Sequence, residues 1–219
     1  MGHEEFDKYY MDPRPDFVRL FPPGVDRVLD VGCGGGAIGH LLKQKGVELV
    51  VGVELDPRAA EEARKRLDIV IEADIEKTEL PFESGYFDCI VLGDILEHLL
   101  DPWQTLKRLR YYLANGVAVV CSLPNVRYYK VMQGLLSGRW EYADKGVLDR
   151  THLRFFTLRS MKEMIEGAGL TITRIERRIV TGPKTGLIHK LTFGWLADLF
   201  TKQYLILARN LPQKGIHNI

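Results

Sequence analysis

Val28-Leu29-Asp30-Val31-Gly32-Cys33-Gly34-Gly35-Gly36 is the stretch on which the fold turns. Arg27 to Val31 is an apolar run with two valines, the composition of a buried strand. Glycines then fill four of the five positions 32–36. Ala37 to Lys45 follows with Ile38, Leu41 and Leu42 at helical spacing, and Gly46 stands where a helix stops. A glycine turn between a strand and a helix lets a ligand approach the backbone, because no Cβ stands in the way.

Outward from this loop the alternation repeats. Glu48 to Val53 reads as a second strand. Asp56-Pro57 starts a helix that runs to about Leu67, with Asp56 as N-cap and Pro57 at the first helical position. Asp68 to Glu72 is a third strand. Phe87 to Leu92 is a fourth, continuously apolar at its end, as a strand buried on both faces should be. Trp103 to Leu113 is helical, Gly116 to Ser122 is a fifth strand, Leu158 to Ala168 a helix, Leu170 to Ile179 a sixth strand and Gln203 to Ala208 a last one. Strand and helix in alternation predict an α/β fold, a Rossmann-like and mostly parallel sheet with helices on both faces. One domain, 1–219, is expected. It comprises an N-terminal cap segment (1–26), a ligand-binding half (27–123) and a second half (124–219) with irregular inserts at 126–154 and 181–200.

Composition narrows the class. The chain has 219 residues, 46% of them hydrophobic, enough for one sizeable core. Charged residues make up 27% and the formal net charge is +1, so no basic excess points to nucleic acid. Cys33, Cys89 and Cys121 are an odd number without metal-ligand spacing, and read as free thiols of a reducing compartment. The start, Met1-Gly2-His3-Glu4-Glu5, is no signal peptide. No apolar run approaches the roughly 20 residues that span a bilayer, so a cytoplasmic location is the expectation. No cluster of histidine, cysteine or carboxylate shows ligand spacing, and no metal is expected.

The glycine spacing also satisfies the dinucleotide form G-x-G-x-x-G/A, so a nicotinamide-dependent oxidoreductase is one reading. Charge argues against it. Asp30 lies two residues before Gly32, and a pyrophosphate on the loop would face that carboxylate. S-adenosylmethionine carries a sulfonium and an ammonium instead, and suits it. Glu54 ends the second strand 24 residues after Asp30, where a carboxylate accepts from ribose hydroxyls of either cofactor. Glu72-Ala73-Asp74-Ile75 follows the third strand, with an acid for an adenine amino group and Ile75 for its face.

Val28 to Gly36, Val51-Gly52-Val53-Glu54-Leu55-Asp56, Ala73-Asp74 and Phe87-Asp88-Cys89-Ile90-Val91 together resemble the successive motifs of class I S-adenosylmethionine-dependent methyltransferases. The resemblance covers roughly Val28 to Leu123. It implies a seven-stranded sheet with an antiparallel last strand, S-adenosylmethionine as cofactor and S-adenosylhomocysteine as product. It also implies site residues. Asp30, Gly32, Cys33 and Gly34 would border the methionine part, Glu54 would hold the ribose, Leu55, Asp74 and Ile75 would surround the adenine, and Gly93 and Asp94 would flank the sulfonium. Related small-molecule enzymes close an N-terminal segment over the cofactor, which gives Tyr9-Tyr10, Arg14 and Phe17 a candidate role, with Arg14 as partner for the methionine carboxylate. A non-catalytic cofactor-binding partner of another enzyme is a further reading.

Two histidines are candidate general bases. His152 lies in Leu148-Asp149-Arg150-Thr151-His152-Leu153-Arg154-Phe155-Phe156-Thr157, and is the first choice. This stretch resembles one in bacterial methyltransferases of polysaccharide, glycan or quinone pathways. His98, in Gly93-Asp94-Ile95-Leu96-Glu97-His98, is the second choice, and resembles the quinone-biosynthesis type. Methyl transfer to a small-molecule acceptor, at oxygen before nitrogen or carbon, is the expectation. Aromatics with Arg and Asn in 125–142 suit a polar ring, a sugar or an aromatic acid; the resemblance implies a quinone precursor as a further candidate, and a lipid-linked intermediate would go with a membrane-surface role for 186–200. The more apolar stretch 186–200 reads as a lid, a homodimer contact or a membrane-surface patch.

Overall fold

The computed structural model describes Tyr10, residues 14–179 and residues 196–211. Most of the second insert, and with it the lid, dimer or membrane reading of 186–195, lies outside the described residues, as does Tyr9.

Seven strands form one sheet: β1 (Arg27–Val31), β2 (Leu49–Glu54), β3 (Ile69–Glu72), β4 (Phe87–Gly93), β5 (Leu113–Pro124), β6 (Thr171–Ile179) and β7 (Thr201–Arg209). Their order is β3-β2-β1-β4-β5-β7-β6. The first five pair in parallel, and β7 runs antiparallel between β5 and β6. This is the Rossmann-like sheet that the alternation predicts, with the antiparallel last strand of the resemblance.

The helical segments are α1 (Pro15–Val18), α2 (Ala37–Gln44), α3 (Pro57–Ala63), α4 (Pro102–Leu109), α5 (Tyr129–Leu136), α6 (Leu158–Gly167) and α7 (Ala197–Phe200). Local chemistry explains where several begin. Asp56 accepts from Ala59 N at 2.8 Å and Asp101 from Gln104 N at 3.0 Å, each followed by proline. Thr157 and Ser160 cap α6 reciprocally. Such caps are worth about 1 kcal/mol each.

Each sheet face buries its own core. Phe17, Val28, Leu42, Val50, Ala63 and Leu67 join one side. Leu29, Val51, Ile90, Leu106, Met161 and Ile165 join the other. Burying each of the larger of these side chains contributes about 1.5–3 kcal/mol, so the sheet is a stiff platform for whatever its strand ends carry.

The first insert departs from expectation. Residues 126–154 show no clean period, yet Tyr129–Leu136 is helical. Tyr128 and Val131 are buried, while Leu136 is 85% exposed. Apolar residues on both faces hide the 3.6-residue period. α3 also stops at Ala63 rather than near Leu67, and β5 extends to Leu113–Pro124.

Candidate active site

The strand succession reverses between β1 and β4, and open α/β sheets bind ligands in the crevice beyond the carboxyl ends at such a point. The glycine loop leaves β1 there. Gly32 N and Cys33 N donate to Val53 O at 2.8 and 3.1 Å, fastening the loop to β2. Gly32, Gly34 and Gly36 have φ of +68°, +55° and +79°, which side chains rarely adopt. A Cβ on Gly34 would come within 2.9 Å of the Tyr10 carbonyl oxygen, which already accepts from Gly35 N at 2.9 Å. The N-terminal segment thus lies against the loop.

Glu54, buried at the end of β2, organises both neighbouring turns. Its Oε2 accepts from Gly34 N at 2.8 Å, and its Oε1 from Leu55 N and Asp56 N at 2.8 and 2.9 Å. Asp30 is 1% exposed and sits beneath the loop, where Gly39 N hydrogen-bonds its carboxyl and Oδ2 has no hydrogen-bond partner. Burial, reinforced by the nearby Glu54 charge, pushes the Asp30 carboxyl up to about 7. It therefore lies beneath the loop rather than on its open surface. Cys33 is turned inward, so that a Cβ on Gly52 would meet its Sγ at 2.6 Å. Burial raises the thiols of Cys33, Cys89 and Cys121, which are all free.

Leu55, Asp74 and Ile75 differ in setting. Leu55 is 66% exposed, whereas Ile75 is buried in the larger core. Asp74 caps its own turn, accepting from Glu76 N at 3.0 Å, and pairs with Lys77 at 2.8 Å. Beyond Gly93, Asp94 is a non-glycine residue at φ +55°. Its Oδ1 accepts from Ser122 Oγ at 2.6 Å and from Gln203, and its Oδ2 pairs with Arg14. Arg14 is itself at φ +47°. Such conformations cost about 1–3 kcal/mol each and gather at functional sites. The Arg14 guanidinium, expected to meet a methionine carboxylate, is engaged by Asp94 here.

His98 and His152 come together although 54 residues separate them. Their rings lie 4.8 Å apart, edge to face. His98 Nδ1 is 3.2 Å from Thr151 O and His152 Nδ1 is 3.1 Å from Val147 O. A carbonyl oxygen only accepts, so each Nδ1 carries a proton. Glu97, in the single turn Leu96–His98, is the neighbour that sequence reasoning missed. It is 1% exposed, with Oε1 4.0 Å from His152 Nε2 and Oε2 without a hydrogen-bond partner. Burial holds its carboxyl well above the usual range, Asp94 adding to the effect, and burial with His152 lowers His98. The three groups offer ligand atoms all within 4.8 Å of one another, so a metal-capable cluster exists where spacing along the chain predicted none. Phe155, Trp140 and Tyr142 form a ring platform beside it: Phe155 lies 6.3 Å from His152, 5.2 Å from Trp140 and 6.4 Å from Tyr142.

Fold and site define a class I nucleotide-type methyltransferase platform, and comparison with known proteins agrees. A family model described as a methyltransferase domain matches residues 3–175. The ubiquinone biosynthesis O-methyltransferase of Cereibacter sphaeroides is 29% identical over 172 residues, which span 76% of this chain and 66% of that enzyme. The ribosomal protein L11 methyltransferase of Thermosipho africanus is 33% identical over 127 residues, 54% of this chain and 47% of that one. A crystal structure of an S-adenosylmethionine-dependent methyltransferase from Archaeoglobus fulgidus has the same fold. Its TM-score is 0.70 at 19% identity, covering 95% of this chain and 100% of that one.

The chain belongs to the methyltransferase-domain family and shares its fold with the S-adenosylmethionine-dependent methyltransferase of Archaeoglobus fulgidus. The oxidoreductase that the glycine spacing alone allows has no support in these matches. The residues fit the cofactor: a glycine cradle without Cβ atoms, the Glu54 carboxylate at the end of β2, and the unpartnered Asp30 Oδ2 under the loop. Among the described residues no helix is long and apolar enough to cross a membrane.

One consequence concerns Gly32. A Cβ there would stand 2.8 Å from Ile95 Cδ1, on a backbone that disfavours any side chain. Gly32→Ala is expected to lower the unfolding free energy by about 1–3 kcal/mol and to weaken S-adenosylmethionine binding. Thermal unfolding with and without cofactor checks both; an unchanged Tm in each condition would contradict the steric argument.

Proposed function

We propose that this enzyme methylates a hydroxyl oxygen of a small acceptor bearing a phenolic ring, of the quinone-precursor kind, and that His152, with His98 beside it, receives the hydroxyl proton. The observation that carries the reading is the juxtaposition of two imidazoles with the Phe155, Trp140 and Tyr142 rings near the carboxyl end of β4. S-adenosylmethionine supplies an electrophilic methyl group on a sulfonium. Asp30, Gly32, Cys33 and Gly34 border its methionine part, the cysteine through its backbone. Glu54 takes the ribose, Leu55, Asp74 and Ile75 the adenine side, and Gly93 and Asp94 the sulfonium side.

The chain's remaining task is to orient the acceptor, exclude water and hold a proton. Ring faces orient a planar acceptor by stacking, at about 0.5–1.5 kcal/mol per pair beyond area burial. A phenol is a poor nucleophile until its proton leaves. Burial keeps His98 below its ordinary value, which favours its unprotonated Nε2 as an acceptor. The Cereibacter relative's name, an O-methyltransferase, supports oxygen over nitrogen.

The test uses cofactor labelled in the methyl carbon, offered with a catechol, a free sugar and an aromatic amine. The label is expected in the catechol as a methoxy carbon, resolved by NMR. Transfer to the sugar or the amine with none to the catechol would overturn the phenolic reading.

A further inference from the structure

Resting on the assignment of Asp94 to the sulfonium side, we propose that Asp94 reads the charge of the cofactor. It holds the methylated, cationic form and, once that charge is lost, returns to Arg14 and lets the product go.

Two features mark the Arg14–Asp94 pair. Among the described residues, Arg14 and Asp94 are the two non-glycine residues with positive φ, and they are ion-pair partners across 80 positions of chain. Backbone strain at both ends of one ion pair persists only where the surroundings over-determine it. Those surroundings come from two other strands. Ser122 of β5 donates to Asp94 Oδ1 at 2.6 Å and accepts from Asp94 N at 3.1 Å. Gln203 of β7 donates its amide to the same Oδ1, and its Oε1 accepts from Arg178 at 2.9 Å and from Arg14 at 3.4 Å. Neutral donors of the sheet thus fix Oδ1, while Oδ2 meets a cation.

The pair stands at the cofactor crevice. Ile95, the residue after Asp94, packs so closely on the glycine loop that a Cβ on Gly32 would stand 2.8 Å from it. The segment before Arg14 reaches the same loop, since Tyr10 O accepts from Gly35 N at 2.9 Å. The Asp94 side chain is 35% exposed and that of Arg14 only 8%. The carboxylate is within reach of a ligand, and the guanidinium is packed down beside it.

Charge then decides which ligand stays. S-adenosylmethionine carries one more positive charge than S-adenosylhomocysteine, on sulfur. Beside an Asp94 neutralised by Arg14, that charge gains little. Beside an Asp94 that Arg14 has left, it gains an ion-pair interaction in a crevice of lowered dielectric. Methyl transfer breaks the bond from sulfur to the methyl carbon, forms the bond from that carbon to the acceptor oxygen, and leaves the electron pair on sulfur. The hydroxyl proton goes to the imidazoles proposed above. Asp94 then faces a neutral thioether, and a partly buried charge without a partner is costly. Arg14, already placed to reach it, restores the pair.

Calorimetric titration without acceptor compares S-adenosylmethionine, S-adenosylhomocysteine and sinefungin, whose amine carries a positive charge in place of the sulfonium. Asp94→Asn should narrow the affinity ratio of S-adenosylmethionine over S-adenosylhomocysteine by about 10-fold. Arg14→Gln should widen it by about the same factor, equivalent to about 1.4 kcal/mol. Any bond from Arg14 to the methionine carboxylate is common to both ligands and cancels in the ratio. Sinefungin should follow S-adenosylmethionine in both variants. Asparagine tolerates the left-handed region, so Asp94→Asn keeps the turn; thermal unfolding confirms that both variants are folded, and either alone tests the sign. An unchanged ratio with both affinities lowered would overturn the charge reading and leave Asp94 in the cofactor site. Affinities unaltered altogether would overturn that assignment as well. A ratio moving the same way in both variants, or sinefungin following S-adenosylhomocysteine, would overturn the exchange.

Discussion

Replacing Glu54 with alanine should lower S-adenosylmethionine affinity by at least about 100-fold, equivalent to about 2.7 kcal/mol. The carboxylate has two duties. In the free protein it accepts from Gly34 N, Leu55 N and Asp56 N, so it shapes both the glycine loop and the turn after β2. In the proposed complex it would accept from the ribose hydroxyls. Hydrogen bonds to a charged acceptor contribute about 1.5–3 kcal/mol each. Two lost from the ribose already exceed the stated figure, and three backbone donors lose their partner besides. Glu54→Gln, which keeps the shape and one acceptor oxygen, should lose less. Calorimetric titration with S-adenosylmethionine and S-adenosylhomocysteine measures both variants. Affinity within a few-fold of the parent protein would remove Glu54 from the cofactor site.

Asp30→Asn should stabilise the cofactor-free protein, and more so at alkaline pH. The folded-state carboxyl sits near 7, against an ordinary 3.8. Between these values the unfolded chain is ionised while the folded chain keeps its proton. The folded state therefore binds more protons, and stability falls as pH rises through this window before levelling above it. Asparagine has nothing to ionise. Its gain over aspartate should be larger at pH 8 than at pH 5 by roughly 2–3 kcal/mol, taking about 1.4 kcal/mol per unit. Urea unfolding at the two pH values checks this. An equal gain at both would show that the carboxyl titrates normally. A buried acid at this cost, directly under the proposed cofactor loop, fits a residue that serves binding rather than stability.

Much of the fold was legible along the chain because its signals are local. Apolar runs bounded by glycines gave the strands, and the Asp56-Pro57 pair gave a helix start, whereas Asp101 caps α4, which begins at Pro102, one residue before the expected Trp103. The glycine loop announced itself through residues that only φ > 0 and a close approach require. Glu54 and Asp74 could be placed at the ends of β2 and β3 because strand ends are predictable from strand lengths. The helix Tyr129–Leu136 was not found, since its leucines face solvent as well as core.

The site was legible only in part. His98 and His152 could each be singled out by their neighbours, but nothing local joined them. Glu97 stood in view within Leu96-Glu97-His98 and gave no sign of burial, because an acidic residue after a strand is ordinarily at the surface. Gln203 and Ser122, which hold Asp94, lie on strands far apart in sequence and carry no motif.

The glycine loop between β1 and α2, its acidic partners and the cofactor class were set by the sequence itself, since each depends on spacing within one strand–turn–helix unit. The Glu97–His98–His152 cluster, the ring platform beside it and the inward burial of Asp30 were decided by tertiary structure alone. They depend on which strand ends the β3-β2-β1-β4-β5-β7-β6 order brings to one crevice, and on how much water that packing removes from a charge.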